Sequence, residues 1–396
     1  MQTKLLINIT PIRKPLTGIG YYTLNILREL LRKDIDVIGL QNGRSVDKQQ
    51  LQALSDSFLI ENKHDQPKQK SIKRTLVELI RNVPGSYQVK NILMSLRAKR
   101  SLARYARQNY VYFEPSFIPF AYNGITITTV HDLSFISYPE FHPETRVTYL
   151  MSKMSSSIDM SDHIVVDSDY ILGEMHRYYP SSKNKSSTLY LGVDEYFRRH
   201  SEKECKSINH SLGLEYQKFI LSVATLEPRK NLKRLVLAYK SLPAEIRAKH
   251  PLVLVGDQGW KNMELMAEAK ELIDSKQLIL TGYLSDSDLK CLYSSAMIFA
   301  YPSLYEGFGL PIIEAMASGA PVITSNRGAT SEISGGKAIL VNPEDESDIA
   351  QAIIQLANQP DKRELLTTVG LEFVQQYQWS RTVERILEIA VSISNK

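Results

Sequence analysis

The sequence predicts an α/β protein built from two doubly wound domains. The chain has 396 residues, more than one hydrophobic core usually fills, so two domains are expected. In both halves, apolar segments typical of buried parallel strands alternate with segments of helical periodicity. A polar, aperiodic stretch at residues 198–216 separates the halves and predicts a linker. Together these observations predict two open parallel sheets with helices on both faces.

The elements follow one another regularly in the two predicted domains, residues 1–197 and 217–378. The strand KLLINIT at 4–10 opens the first domain, and KFILSVAT at 218–225 opens the second. In the first domain we then expect helix 20–33, strands 35–40 and 124–132, helix 144–160, strand 162–168 and helix 169–179. In the second we expect helix 231–242, strand 251–257, helix 262–274, strand 276–284, helix 286–296, strand 297–303, helix 311–318 and strand 320–326.

The composition excludes several classes of protein. No run approaches the roughly 18 to 20 apolar residues of a membrane span. The first residues lack the apolar length and cleavage site of a signal peptide, so we expect a cytoplasmic protein. Cys205 and Cys291 lie far apart without CxxC or Cys/His spacing, which predicts neither a disulfide framework nor a zinc site.

The positive charge is concentrated in a basic segment at residues 61–109. This segment holds twelve Lys or Arg against three acidic residues, with apolar residues interleaved at helical spacing. Such a pattern favours binding to an anionic membrane surface, and the alternative is a solvated helix face. Nucleic acid is not expected as a partner, because no recognition helix or stacking platform accompanies the charge.

The motif YEGFGLPIIEAMASGAPV at 305–322 predicts an anion site. Its helix is expected at 311–318, since Pro311 suits a first turn and Gly319 suits the position after the last. The amides of Phe308, Gly309 and Leu310 then lie at the helix N-terminus, where peptide dipoles favour a phosphate.

Two glutamates flank this helix entrance, and two basic residues follow the first strand of the same domain. Glu306 and Glu314 either only interact with the dipole at the helix N-terminus or bind sugar and ribose hydroxyls. The second role suits them because an ionised carboxylate only accepts hydrogen bonds. Arg229 and Lys230 stand at a strand's carboxyl end, where open α/β sheets bind ligands, which favours phosphate binding over a solvated basic turn.

The segments EPRKN, VGDQGW, LTGYLSDSDL and PSLYEGFGLPIIEAMASGAPVITSN together resemble the retaining glycosyltransferases of family 4, over essentially the whole chain. The resemblance implies the GT-B architecture, two Rossmann-like domains facing each other across a cleft, with a last helix at 379–396 that crosses back to the first domain. It places Glu306 over the donor sugar, Glu314 on the nucleotide ribose and Lys230 on the diphosphate. The backbone of Phe308, Gly309 and Leu310 would face the sugar and phosphate.

One departure from the family concerns the end of the first strand of the second domain. Many members carry Gly-Arg there, whereas this chain reads Val-Ala-Thr at 223–225. We assign the phosphate-binding role of this missing arginine to Arg229. The family pattern also places Gly282 and Tyr283 near the nucleobase.

In the first domain, Gly18 and Gly20 follow the first strand at the start of a helix. A dinucleotide fingerprint would need a shorter loop and a third glycine where Thr23 stands, which argues against a nicotinamide-dependent dehydrogenase. The resemblance instead turns this glycine loop toward the donor phosphates and the acceptor. It also places His131, at the end of the strand TVHD, against the donor sugar near the reacting carbon, with Asp132 toward the acceptor.

The resemblance implies transfer of a sugar from a nucleotide diphosphate to a hydroxyl with retention at the anomeric carbon. No metal or other cofactor is expected, since the two DSD stretches read as helix caps. The match to VHDLSFISYPEFHP and TLEPRKN points to the mannosyl- and rhamnosyltransferases of bacterial surface polysaccharides. It implies GDP-mannose as donor and a glycan, lipid-linked at the inner face of the cytoplasmic membrane, as acceptor.

Three further functions are compatible with the sequence: a UDP-sugar-dependent transferase, a GT-B epimerase and a non-catalytic sugar-nucleotide-binding protein. The sequence leaves the oligomeric state undecided.

Overall fold

The computed structural model describes residues 3–14, 16–58, 86–257, 259 and 262–395. The chain forms two compact units, Met1–Gly192 with Trp379–Lys396, and Val193–Gln378. Each unit is built on its own sheet, and parallel strands dominate both. The predicted α/β class with two parallel-sheet domains is therefore confirmed.

The sheet of the first unit has seven strands in the order β3-β2-β1-β4-β5-β6-β7. The neighbours pair in parallel except for the hairpin of β2 and β3. The strands are β1 Lys4–Asn8, β2 Asp36–Gln41, β3 Arg44–Val46, β4 Val111–Glu114, β5 Thr126–Val130, β6 His163–Val166 and β7 Ser186–Thr188. The helices are α1 Gly18–Arg32, α2 Lys48–Asp56, α3 Ser86–Arg107, α4 Ser134–Ser137, α5 Glu144–Met160 and α6 Asp169–Tyr178. The strand order reverses between β1 and β4, which makes that point the ligand-binding edge expected of such sheets.

The sheet of the second unit has six parallel strands in the order β10-β9-β8-β11-β12-β13. The strands are β8 Ile220–Val223, β9 Leu252–Val255, β10 Leu278–Gly282, β11 Ile298–Tyr301, β12 Val322–Ser325 and β13 Ile339–Val341. The helices are α7 Glu202–Leu212, α8 Leu232–Lys240, α9 Ala244–Lys249, α10 Met263–Asp274, α11 Asp286–Ser295, α12 Leu310–Ala317, α13 Gly328–Ser334, α14 Glu346–Asn358 and α15 Pro360–Phe373. Here the order reverses between β8 and β11.

The predicted linker at 198–216 was wrong, because most of it forms α7. Ser201 accepts a hydrogen bond from the amide of Glu204, whose side chain bonds back to the Ser201 amide, so a capping box starts the helix. Gly213 ends it in the left-handed conformation, with φ of 66°. Cys205 and Ile208 are buried, so the segment belongs to the packed second unit.

The last helix, α16 Trp379–Ser394, is grouped with the first unit. The Trp379 ring lies 6.1 Å from the Tyr22 ring of α1, and Thr382 Oγ1 donates to the Tyr190 carbonyl at 2.8 Å. The helix therefore packs on the first unit, against α1 and the segment at Tyr190, although 186 residues of the second unit, 193–378, intervene in sequence.

The basic segment is described only from residue 86 onward, and its part at 61–85 lies outside the described residues. On α3, Met94, Ala98, Leu102 and Tyr105 are buried in the core of the first unit. Its other side exposes Leu93 and Leu96, together with the basic residues Lys99, Arg100, Arg104 and Arg107. Among the helices that the structure describes, none has the length and apolar character needed to cross a membrane.

Candidate active site

The centre of the candidate site lies where the strand order of the second sheet reverses. A 3-10 turn, Pro228–Lys230, follows β8, and the segment 302–309 follows its neighbour β11. The Leu304 amide donates to the Arg229 carbonyl at 2.9 Å, and Ser303 Oγ lies 3.0 Å from the same oxygen. The Asn231 amide group adds bonds to the carbonyls of Pro302 and Pro343. These bonds fix the two loops against each other.

Glu306 is buried in this centre and accepts hydrogen bonds from four side chains. Lys230 Nζ lies 2.8 Å from Oε1 and 2.9 Å from Oε2, and Arg229 Nη1 lies 3.0 Å from Oε2. Oε1 also accepts from Tyr301 at 2.7 Å and Ser303 at 2.6 Å. Burial alone would raise the pKa of Glu306, but Lys230, Arg229 and the hydrogen bonds lower it to about 2. The carboxylate is therefore ionised throughout the physiological range.

The predicted phosphate-binding residues are thus paired with carboxylates, which the sequence did not indicate. Arg229 donates to the Tyr305 carbonyl at 3.1 Å and through Nη2 to Glu227 at 3.0 Å, besides its bond to Glu306. Burial and the neighbouring Arg229 lower the pKa of Lys230, against the opposing effects of Glu306 and Glu227. Two cations and two carboxylates therefore form one nearly neutral cluster.

Glu314 lies separately, on α12. The helix begins at Leu310, one residue before the predicted start, after Gly309 at φ 109°, where L-residues are strained. Tyr293 on α11 donates to Glu314 Oε2 at 2.9 Å. Burial raises the pKa of Glu314 to about 8, and Asp194 and Asp286 add to the effect. The carboxyl is therefore mostly protonated at pH 7, so the expectation of an ionised, purely accepting Glu314 was wrong.

The other predicted residues of the second unit lie along the same sheet edge. The Phe308 side chain is buried, 5.8 Å from the Tyr377 ring, so only its backbone is placed to serve a ligand. Gly282 ends β10 with φ of 71° and accepts a hydrogen bond from the Gly256 amide at 3.0 Å. Tyr283 follows it with 41% of its surface exposed. One strand, β9, separates this pair from β8.

Gly18 and Gly20 form the first turn of α1 in the first unit. A Cβ at Gly20 would lie 3.0 Å from Leu16 Cδ2 and 3.1 Å from the Pro11 carbonyl. Close packing of the loop therefore accounts for glycine at position 20. A Cβ at Gly18 meets nothing within 4 Å, which leaves space above the helix start.

His131 follows β5 and uses both ring nitrogens within the first unit. Nε2 lies 2.8 Å from the Pro115 carbonyl, and Nδ1 lies 2.8 Å from Asp167 Oδ2. A carbonyl only accepts, so Nε2 carries a proton and donates. Burial lowers the pKa of His131, but Asp167, the Pro115 carbonyl and Asp132 together outweigh it, so the net shift is upward. Both ring nitrogens are therefore engaged in hydrogen bonds within the first unit.

Asp167 belongs to the DSD stretch at 167–169 that was predicted as a helix cap, and Ser168 of that stretch caps α6. Burial raises the pKa of Asp167, against the opposing effect of His131. Tyr22 packs its ring edge-on against His131, with 4.8 Å between centroids, and donates or accepts at Thr129 Oγ1. Within the described part of the chain, no three His, Cys, Asp or Glu side chains are arranged to hold a metal ion.

Comparison with known proteins identifies the chemistry. Residues 206–370 match the family described as Glycosyl transferases group 1. The chain is 33% identical over 378 residues to O-antigen chain mannosyltransferase B of Escherichia coli, which covers 95% of this chain and 96% of the relative. The chain belongs to the group 1 glycosyltransferases.

Two further proteins similar to this glycosyltransferase support the same family and fold. O-antigen chain mannosyltransferase RfbU of Salmonella typhimurium is 28% identical over 265 residues, 67% of this chain and 69% of the relative. The structure of Anabaena Alr3699/HepE in complex with UDP and glucose superposes with a TM-score of 0.64 at 16% identity, covering 99% of this chain and all of the other. The predicted glycosyltransferase family and its fold of two Rossmann-like domains are therefore confirmed.

Proposed function

We propose that this glycosyltransferase moves mannose from GDP-mannose to a glycan hydroxyl, with retention at the anomeric carbon, during synthesis of O-antigen or a related surface polysaccharide. The observation that carries the proposal is the 33% identity to an O-antigen chain mannosyltransferase over 95% of the chain, since it includes both units. The position of Arg229 and Lys230 at the strand reversal of the second sheet, where open α/β sheets bind ligands, supports the proposed diphosphate contact.

In this proposal the second unit binds the donor. Lys230 and Arg229 bind the diphosphate, together with the backbone of Phe308, Gly309 and Leu310 at the start of α12. Glu306 holds the two cations in place and lies nearest the sugar. When the bond from the anomeric carbon to the phosphate oxygen breaks, these fixed positive groups stabilise the negative charge that develops on the leaving diphosphate. The departing phosphate takes the proton of the acceptor hydroxyl as the new glycosidic bond forms, and no metal is required.

The remaining predicted contacts concern the nucleoside and the acceptor. Glu314 binds the ribose, and its protonated carboxyl can donate one hydrogen bond and accept another. Gly282 and Tyr283 lie near the base. Gly18 and Gly20 are proposed to contact the donor phosphates or the acceptor, and His131 the donor sugar.

A panel of GDP-, UDP-, ADP- and dTDP-sugars tests the donor. A ligand at 100 times its dissociation constant raises stability by about 2.7 kcal/mol, which a thermal shift detects. We expect GDP-mannose to give the largest shift, and ¹H NMR of the product to show the donor's anomeric configuration. A larger shift with a UDP-sugar would favour the second candidate, a UDP-dependent transferase, which the fold of the Anabaena protein bound to UDP and glucose supports.

The same incubations distinguish a transferase from an epimerase and from a sugar-nucleotide-binding protein. An epimer formed from donor alone would indicate an epimerase. Donor binding without turnover in the presence of acceptor would indicate a protein that only binds sugar nucleotides. Inversion at the anomeric carbon would contradict the proposed stereochemistry.

We further propose that the acceptor is lipid-linked and that α3 rests on the anionic inner face of the cytoplasmic membrane. The helix buries one face in the core and exposes Leu93 and Leu96, at 51% and 65%, beside its basic residues. Each basic residue near an anionic surface contributes about 1 kcal/mol to binding.

Sedimentation with vesicles of phosphatidylglycerol tests this surface. The variant changes Lys99, Arg100, Arg104 and Arg107 to Gln. The control changes four exposed lysines of the second unit, Lys203, Lys206, Lys270 and Lys276, to Gln, which lowers the net charge equally. We expect only the first variant to lose binding. Equal binding by all three proteins, or equal loss in both variants, would contradict the role of α3.

A further inference from the structure

The hydroxyl of Tyr301 lies inside the cation cluster, between its central lysine and its central glutamate. Its oxygen is 2.9 Å from Lys230 Nζ and 2.7 Å from Glu306 Oε1. An ammonium only donates and an ionised carboxylate only accepts, so the phenol accepts from Lys230 and donates to Glu306. The geometry thus fixes the direction of both hydrogen bonds.

Tyr301 is anchored in the sheet of the second unit. It is the last residue of β11, is 1% exposed and pairs with Thr324 of β12. Thr324 Oγ1 donates to its carbonyl at 2.9 Å, and its ring stacks on Phe299 with 5.9 Å between centroids. Lys230 also donates to both carboxylate oxygens of Glu306. Tyr301 therefore ties the ammonium directly to the sheet.

We propose that Tyr301 is a positioning residue of this glycosyltransferase, which holds the Lys230 ammonium charged and in place for the diphosphate of the donor. This inference rests on the proposed role of Lys230 in donor binding. It assigns Tyr301 a function that acts through Lys230 and not through contact with the donor.

The charges around Lys230 give the proposal a measurable signature. Arg229, Glu227, Glu306 and Tyr301 are the groups that face it. Burial and Arg229 lower the pKa of Lys230, whereas the carboxylates raise it. A hydrogen bond accepted by the phenol favours the protonated lysine, so its removal lowers the pKa further. Burial also keeps the pKa of Tyr301 well above its ordinary value, so the phenol stays neutral across the test range.

The test compares Tyr301→Phe with Tyr239→Phe. Tyr239 is also fully buried in the second unit, and its hydroxyl lies 3.2 Å from the Arg247 carbonyl and 3.1 Å from the His250 carbonyl, to one of which it donates at a time. Both variants and the unaltered protein are titrated with GDP-mannose and with inorganic pyrophosphate by calorimetry from pH 6 to 10. Pyrophosphate contains the diphosphate group of the donor without its nucleoside and sugar, and the unaltered protein at each pH corrects for pyrophosphate's own ionisation.

We expect Tyr301→Phe to bind both ligands about tenfold more weakly at pH 7, the loss of one hydrogen bond to a charged group. The deficit should widen as the pH rises, because Lys230 loses its proton at lower pH in the variant. Tyr239→Phe should bind as the unaltered protein does at every pH. In a Lys230→Gln background, Tyr301→Phe should cause no further loss.

Three results would overturn the inference: unaltered binding by Tyr301→Phe, a deficit that does not change with pH, or a full further loss in the Lys230→Gln background. If the unaltered protein binds pyrophosphate but not GDP-mannose, the proposed donor is wrong, and the pyrophosphate titrations still test the role of Tyr301. A protein that binds neither would refute both.

Discussion

Replacement of Glu306 by Gln removes one charge from the buried cluster and preserves its size. The pKa of Glu306 is lowered from its ordinary 4.5 to about 2, a displacement that corresponds to about 3 kcal/mol of stability. Its side chain is 7% exposed, so solvent screening barely reduces this figure. Loss of one partner of a buried ion pair costs about 3 to 5 kcal/mol in general, which agrees. We therefore expect Glu306→Gln to destabilise the second unit by about 3 kcal/mol.

Urea unfolding followed by hydrogen exchange in peptides covering β8 and β11 measures this change in the second unit itself. Because the folded pKa lies below the unfolded one, the stability that Glu306 contributes is present above pH 4.5 and disappears as the pH falls through 2. The difference between variant and unaltered protein should therefore be constant from pH 5 to 8. Glu264→Gln is the matched control, since Glu264 pairs with Lys233 at 79% exposure, and it should change nothing measurable. A loss for Glu306→Gln below about 1 kcal/mol at pH 7 would refute this account.

Further predictions follow from the other buried groups. Burial raises the pKa of Glu314 to about 8, so the unfolded chain loses this proton at lower pH than the folded protein does, and stability falls as the pH rises from 4.5 to 8. Glu314→Gln should therefore gain stability relative to the unaltered protein across that window, which thermal shifts measure. Equal differences between the two proteins at pH 5.5 and 9 would contradict this. Asp167→Asn should lower the pKa of His131, because the carboxylate raises it now, and NMR titration of the imidazole checks the direction. Burial raises the pKa of the Cys291 thiol to about 12, with contact to Cys205 adding to the effect, so iodoacetamide at pH 8 should label it in urea and leave it unmodified in the folded protein.

Much of the fold could be predicted from sequence because parallel strands covered on both faces are long apolar runs. KLLIN, LVLV and IFAY each form a strand whose side chains are almost all buried. The strands that sequence reasoning missed are short or polar, such as Ser186–Thr188, or follow a basic helix directly, such as Val111–Glu114. The missed helix at Glu202–Leu212 carried its signals at its ends, in the Ser201 and Glu204 capping box and in Gly213.

The candidate site was predictable in its members but not in their pairing. Strand ends and a glycine-rich helix start indicate where a ligand binds, so Glu306, Arg229 and Lys230 could be found together. Which carboxylate pairs with which cation depends on how two loops 76 residues apart in sequence approach each other. Tyr301 was missed because, in sequence, it looks like any aromatic residue of a buried strand. Its position as the last residue of β11, at the strand reversal, is the signal that could have singled it out.

Two glutamates, Glu306 and Glu314, lie eight residues apart at the start of α12, and two ionised carboxylates there would repel an anion. Their surroundings shift their pKa values in opposite directions. Glu306 is surrounded by Lys230 and Arg229, so its pKa falls to about 2 and its charge is neutralised within the cluster. Glu314 is buried beside the neutral Tyr293 hydroxyl, so its pKa rises to about 8 and it carries little charge at pH 7. Two carboxyl groups whose surroundings push their pKa values apart can take different roles in one site. In the proposed donor complex, Lys230 and Arg229 compensate the charge of Glu306, and Glu314 ionises less readily than an ordinary carboxyl, so the dipole of α12 remains available for the diphosphate.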